Sequence, residues 1–314
     1  MSVVRRESPV RTPFSRRRAL LLIGAGLANC LAGCDTMHLF SLNKEDTKVE
    51  KDPATASALA LPGKNQFRIA PYVFFHDFDL KHDQPVFQDL ENLRDQVYKE
   101  LHLPPGTSAV KVYLFENEER YDRYMKAKWP HLPHRRAFFM DLGTLGRQDL
   151  VVFVVWGERV QQVQQDLRHE LTHALLNSVM KHIPLWLDEG LAEYFEVPPD
   201  RKGVNAAHLE MLCHPTEGTF KPDLAHLEAI GPTELDKMNR PEYREAWAWV
   251  HLMLRSKPEA KAVLITYLQQ LRPDREPDPL GPDLAKVFPS PEEALEKHLT
   301  RLEDAERVAN RAKQ

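Results

Sequence analysis

Residues 169–195 read HELTHALLNSVMKHIPLWLDEGLAEYF, two histidines four apart with a glutamate between them and an acidic cluster further on. Val163, Leu167, Leu171, Leu175 and Val179 recur at helical spacing around the first half, which predicts one helix over residues 160–182. On such a helix His169 and His173 project from one face a turn apart, so both imidazoles can reach a single ion. Glu170 is offset from them and addresses an attacking water rather than the metal. Two neutral nitrogen ligands, an open coordination position and a carboxylate to take a proton are what zinc-dependent hydrolysis needs.

Such a site requires a third protein ligand. A metzincin-type site places glycine at 176 and histidine at 179, but this chain has Leu176 and Val179, which excludes that branch. A carboxylate-type site places a glutamate on a following antiparallel helix. Ile183-Pro184 supplies the break, Leu185-Trp186-Leu187 leads into DEGLAEYF, and Glu189 then stands near the start of the second helix. Asp188 fits an exposed acid in a first helical turn, where the helix dipole favours negative charge. Glu189 stands next to Trp186 and Leu187 and fits an exposed position less well.

The pattern H-E-L-T-H…P-L-W-L-D-E-G-L-A-E-Y-F resembles the gluzincins, the zinc peptidases of the thermolysin and aminopeptidase type, most closely a bacterial lipoprotein-like group with E-G-L-A-E-Y. The resemblance implies one zinc ion per chain held by His169, His173 and Glu189, with Glu170 as general base. It also implies that Glu193, one turn beyond Glu189, orients the first histidine. In YREAWAWVHLML (243–254), Tyr243 matches the tyrosine with which gluzincin aminopeptidases stabilise the oxyanion; His251 is the alternative, by analogy with the thermolysin branch. The Gly-Ala-Met-Glu-Asn stretch that grips a free amino terminus in those aminopeptidases is missing, which favours endopeptidase action. The His173-to-Glu189 spacing is a few residues shorter than theirs and implies a tighter inter-helix turn.

Elsewhere the pattern predicts an α+β fold. FRIAPYVFF (67–75), VKVYLFE (110–116), AFFM (137–140) and DLVVFVVW (149–156) read as strands, and residues 85–101 and 117–129 as helices. A small mixed sheet with helices, residues 65–157, thus precedes a mainly helical zincin-like subdomain, residues 158–314, with the active-site helix between them. In the last helix Ser290 and Glu293 suggest a capping box. A substrate strand is expected along AFFM or DLVVFVVW.

The chain begins differently. Residues 15–34, SRRRALLLIGAGLANCLAGC, pair a basic cluster with a short apolar run and end in Leu31-Ala32-Gly33-Cys34, which resembles a bacterial lipobox. Residues 1–33 are therefore expected to be a lipoprotein signal peptide, Cys34 the lipidated residue, and residues 34–64 a flexible tether with a reach of roughly 30 Å. Cleavage removes six arginines and one glutamate and takes the formal net charge from −4 to about −9. An acidic exported domain lacks the phosphate-neutralising surface that nucleic-acid binding demands. Cys213, left alone, is expected to pack as a small apolar side chain. The sequence thus points to an extracytoplasmic zinc metallopeptidase, anchored to a bacterial membrane through Cys34 and acting on peptides or proteins. The alternative is a catalytically inactive lipoprotein of gluzincin fold that serves as a binding module.

Overall fold

A computed structural model describes residues 59–144, 147–231, 238–272 and 278–312. The expected signal peptide, Cys34 and all but the end of the tether lie outside the described residues. The chain opens with strands β1 (Asn65–Ile69) and β2 (Tyr72–His76), helix α1 (Pro85–Glu100), strand β3 (Val110–Phe115) and helix α2 (Glu118–Lys128). Strands β4 (Ala137–Asp141) and β5 (Leu150–Val155) follow. The rest is helical: α3 (Val160–Asn177), α4 (Leu185–Phe195), α5 (Ala206–Cys213), α6 (Leu224–Ala229), α7 (Arg240–Arg255), α8 (Pro258–Gln270), α9 (Gly281–Val287) and α10 (Pro291–Arg311). The fold is α+β, with a mixed sheet. Among the described residues, no helix is long and apolar enough to cross a membrane.

The five strands lie in the order β1-β2-β3-β5-β4, with β2, β3 and β5 parallel and the two outer strands antiparallel to their neighbours. The stretch 67–75, expected as one strand, is a hairpin. Pro71 has no N–H to give a ladder, and the chain reverses at Ala70-Pro71 so that Ile69 pairs with Tyr72. β5 is buried on both faces, which its near-continuous run of valines anticipates. Val152 and Val154 face the principal core with Val112, Leu114, Ala137 and Phe139. Val151, Phe153 and Val155 join Phe138 and Met140 on the other face, under Tyr121, Tyr124 and Met125 of α2. Of the two segments expected to offer a free edge, β4 is the edge strand and β5 is enclosed between β3 and β4.

Helices α1 and α3 pack together, and α3 also lies on β4 and β5. The principal core is continuous from Tyr72 in the sheet to Leu299 in α10, so it spans both sides of the expected boundary at residue 157. Helix α3 stops at Asn177, short of the expected end at His182. The capping box expected at Ser290 does not form, and the Glu293 carboxylate instead meets Lys297 at 3.1 Å. One does form at Asn239 and Glu242, ahead of α7.

Helix α7 crosses α4 at Gly190, where a β-carbon would stand 2.6 Å from the Ala246 carbonyl oxygen and 3.0 Å from Val250 Cγ2. The two backbones approach this closely only because residue 190 has no side chain. Alanine at an open helical position gains about 1 kcal/mol over glycine. Here the overlap is with backbone, and overpacking of this kind costs about 1–3 kcal/mol. Gly190→Ala is therefore expected to lower stability in urea denaturation; a stabilised variant would show that α7 can withdraw from α4.

Candidate metal centre

Every residue of α3 from Asp166 to Leu176 is buried, including Arg168, His169, Glu170, Thr172 and His173. A helix with that many polar groups inside needs partners for them. Thr172 Oγ1 donates to the Arg168 carbonyl at 2.7 Å. The Arg168 guanidinium donates to the Phe195 carbonyl at 2.9 Å, to both oxygens of Asp89 at 3.1 Å and to Gln96 Oε1 at 2.8 Å. One buried cation thus fastens α3 to α1 and to the C-terminal end of α4.

With α3 seated in this way, α4 runs antiparallel beside it. His173 Nδ1 meets Asp188 Oδ2 at 2.8 Å, near the start of α4, and His169 Nδ1 meets Glu196 Oε2 at 3.0 Å, just past its end. Carboxylates accept, so each Nδ1 carries the proton and each Nε2 is turned the other way. Both Nε2 atoms lie 3.6 Å from Glu189 Oε2. Four ligands arranged tetrahedrally around an ion at 2.0–2.1 Å are separated by roughly 3.4 Å, so this spacing matches a shared ion. Among the described residues, neither Glu189 oxygen has a hydrogen-bond partner, although Glu189 is fully buried. His169, His173 and Glu189 can hold a metal ion, their ligand atoms all falling within 4.8 Å of one another.

The electrostatics favour a cation here. Glu170, Asp188, Glu189, Glu193 and Glu196 are all buried, and Asp188, Glu189 and Glu196 lie against the two imidazoles. Burial opposes charge on each of them, and a buried carboxylate set is stable only against compensating positive charge. Burial would lower His173, but Asp188 and Glu189 outweigh it and push the ring up to about 10. His169 moves the same way: burial is outweighed by Glu189, Glu196 and Glu193. Burial, followed by the charge of Glu193, pushes Glu196 up to about 7. Glu193 stays below its ordinary value despite burial because the His208 ring is beside it.

The contact with the first histidine expected of Glu193 is made by another residue. Glu193 meets His208 Nε2 at 2.7 Å, while the acceptor for His169 Nδ1 is Glu196. Glu196 is itself held by Gln165 Nε2 at 2.7 Å and Asn205 Nδ2 at 2.8 Å. The reason is register. Glu189, Glu193 and Glu196 share one stripe of α4, and the antiparallel crossing carries its far end towards Gln165 and His169. Asp188, expected at the surface, is fully buried against His173. The i, i+4, i+7 spacing of the three glutamates was the available signal for Glu196; nothing local marked Asp188, His208 or Asn205.

Tyr243 is buried in the first turn of α7, on the stripe that includes Ala246 and Val250 and meets α4 beside Glu189. His251 is placed differently. Its ring neighbours are Tyr194, Trp247 and His298, and its Nδ1 meets His298 Nε2 at 2.9 Å. Burial, with His298 and Arg255 nearby, pushes it down to about 3, so it is a neutral residue of the helical core. The structure does not bring His251 to the cluster. Phe139 of the edge strand β4 stacks over the His173 ring, with centroids 6.3 Å apart. Cys213 is half-buried and its thiol is pushed up to about 11, chiefly by burial, which suits a packing role.

Asp188→Asn and Glu196→Gln are each expected to lower metal affinity about 10- to 100-fold, the usual cost of losing an acceptor behind a ligating histidine. Competition with a chromophoric chelator measures this. A larger loss in Glu193→Gln than in Glu196→Gln would return the orienting role to Glu193.

Compared with models of known protein families, the chain matches none. No curated protein matches it either.

Proposed function

We propose that this chain is a zinc-dependent metallopeptidase. One observation carries the reading: two histidines, each with Nδ1 on a buried carboxylate, turn Nε2 towards one buried glutamate oxygen at equal distances of 3.6 Å. Two imidazoles and a carboxylate are a zinc donor set that leaves a position open for chemistry. Bound there, zinc supplies Lewis acidity, polarising a carbonyl and acidifying water.

The chain's own residues supply the rest. His169, His173 and Glu189 hold the ion, while Glu196 and Asp188 fix the two rings. Glu170, buried between the two histidines in sequence, takes the proton of the attacking water and returns it to the leaving amine. Tyr243 would donate a hydrogen bond from its hydroxyl to the oxyanion that forms when the carbonyl is attacked. The free edge of β4, stacked through Phe139 on His173, lays an extended peptide across the site by strand addition. By the reading of residues 15–34, the domain works outside the cytoplasm on a lipid tether at Cys34.

Metal content by mass spectrometry tests the premise. About one zinc per chain is expected, and Glu189→Ala should hold much less. A protein that stays metal-free when zinc is added would remove the peptidase reading and leave a gluzincin-like fold used for binding.

A further inference from the structure

A cavity opens beside the start of α7, the helix that carries Tyr243. About 520 Å³ in volume, it lies between the C-terminal end of α5, residues 214–223 and the first turn of α7. Leu212, Phe220 and Pro241 supply apolar wall, and Arg244 and Lys221 supply positive charge. Arg244 immediately follows Tyr243, and its charge and that of Glu193 are felt by one another. Leu212 lies one turn beyond His208, the partner of Glu193.

Arg244 is the unusual member. Arg120, Arg136, Arg168, Arg201 and Arg255 each meet a carboxylate within 3.5 Å. Half-buried Arg244 has no ion pair or hydrogen bond among the described residues. The nearby acids are committed elsewhere. Glu193 is taken by His208, and Glu245 accepts from the Asp223 N–H at 2.5 Å and from Trp249 Nε1 at 3.0 Å. Glu217 is exposed at the rim. Burial and the neighbouring Arg240 lower Arg244 from its ordinary value, yet a guanidinium does not lose its proton in a protein. A cavity with both apolar residues and a half-buried guanidinium in its wall matches a carboxylate on a short aliphatic stem, because the guanidinium fork can meet both oxygens at once.

We propose that this cavity is a substrate subsite that recognises a carboxylate of a peptide, held by Arg244 with Lys221 at the entrance. The inference rests on the metallopeptidase reading and adds a specificity to it: acidic peptides are preferred. The carboxylate comes either from an Asp or Glu side chain or from the free C-terminus.

The test separates binding from turnover. Equilibrium binding is measured on the full-chain Glu170→Gln protein with capped hexapeptides that differ in one Glu-for-Gln exchange, each made with a free and an amidated C-terminus. Acidic peptides are expected to bind about 10- to 100-fold more tightly, the range of one charge-assisted hydrogen-bond pair. Preference tied to the Glu exchange assigns a side-chain carboxylate; preference lost on amidation assigns the terminus. The advantage should vanish when Arg244→Gln is added and turn towards Lys-containing peptides in Arg244→Glu. Equal binding of acidic and neutral peptides, or an acid preference that survives Arg244→Gln, overturns the subsite. Hydrolysis of the same peptides by the unsubstituted protein is read separately. Acid-selective binding without cleavage keeps the subsite and removes the peptidase.

Discussion

Glu170→Gln is expected to retain zinc and lose about 10²- to 10⁴-fold in peptide hydrolysis, the contribution of a positioned general base. The substitution is nearly isosteric and is not at a ligand, so metal occupancy should be unchanged while kcat falls. Glu170 is fully buried on α3, which Arg168 fastens to α1 and α4, so the loss would be chemical rather than structural. The measurement is steady-state cleavage of a quenched fluorescent peptide beside metal content on the same sample. Undiminished cleavage by the variant would sink the assignment of Glu170, whatever the metal content.

Arg168→Ala should produce the largest loss of stability of any single change considered, about 3–5 kcal/mol, because one partner of a buried ion pair is removed and the other remains. Arg168 has no exposed surface and makes four hydrogen-bonding contacts, so truncation removes the donors to Gln96 and the Phe195 carbonyl and leaves Asp89 with Gln164 Nε2 alone at 2.8 Å. Arg168→Lys should recover only part of the loss, since an ammonium cannot present a planar fork to three acceptors. Pairing Arg168→Met with Asp89→Leu should recover most of it, because apolar replacement of both partners of a buried pair is often neutral. Urea denaturation of the four proteins gives these differences. A loss below about 1 kcal/mol for Arg168→Ala would mean that water replaces the guanidinium and that α3 is not anchored there.

If both results hold, they connect the fold to the chemistry. The residue that fixes α3 to its neighbours immediately precedes the first histidine. Loosening that helix changes the α3–α4 register, on which the positions of Asp188, Glu189 and Glu196 depend.

What could be read from the sequence was set by short-range physics. The His169–Glu170–His173 helix follows from a 3.6-residue period, and the break that begins α4 from Ile183-Pro184. The alternation in β3 and the valine run of β5 are likewise local, as is the Asn117 cap, whose side chain accepts from the Arg120 N–H at 3.0 Å. These features suffice for an α+β chain and for the three residues that gather around the candidate metal position. Everything that required one segment to find another lay beyond that reach. Whether Glu193 or Glu196 meets His169 depends on the register of the antiparallel helices α3 and α4, which Arg168 ties together at Phe195. The burial of Asp188 depends on the same crossing. His251 shares α7 with Tyr243 but lies against α10, because the two residues fall on different neighbours along one long helix. The strand order that leaves β4 and not β5 at the edge is a choice among pairings that alternation alone cannot rank. Sequence determined which side chains gather at the candidate metal position; packing over long chain separations decided which residues stand behind them.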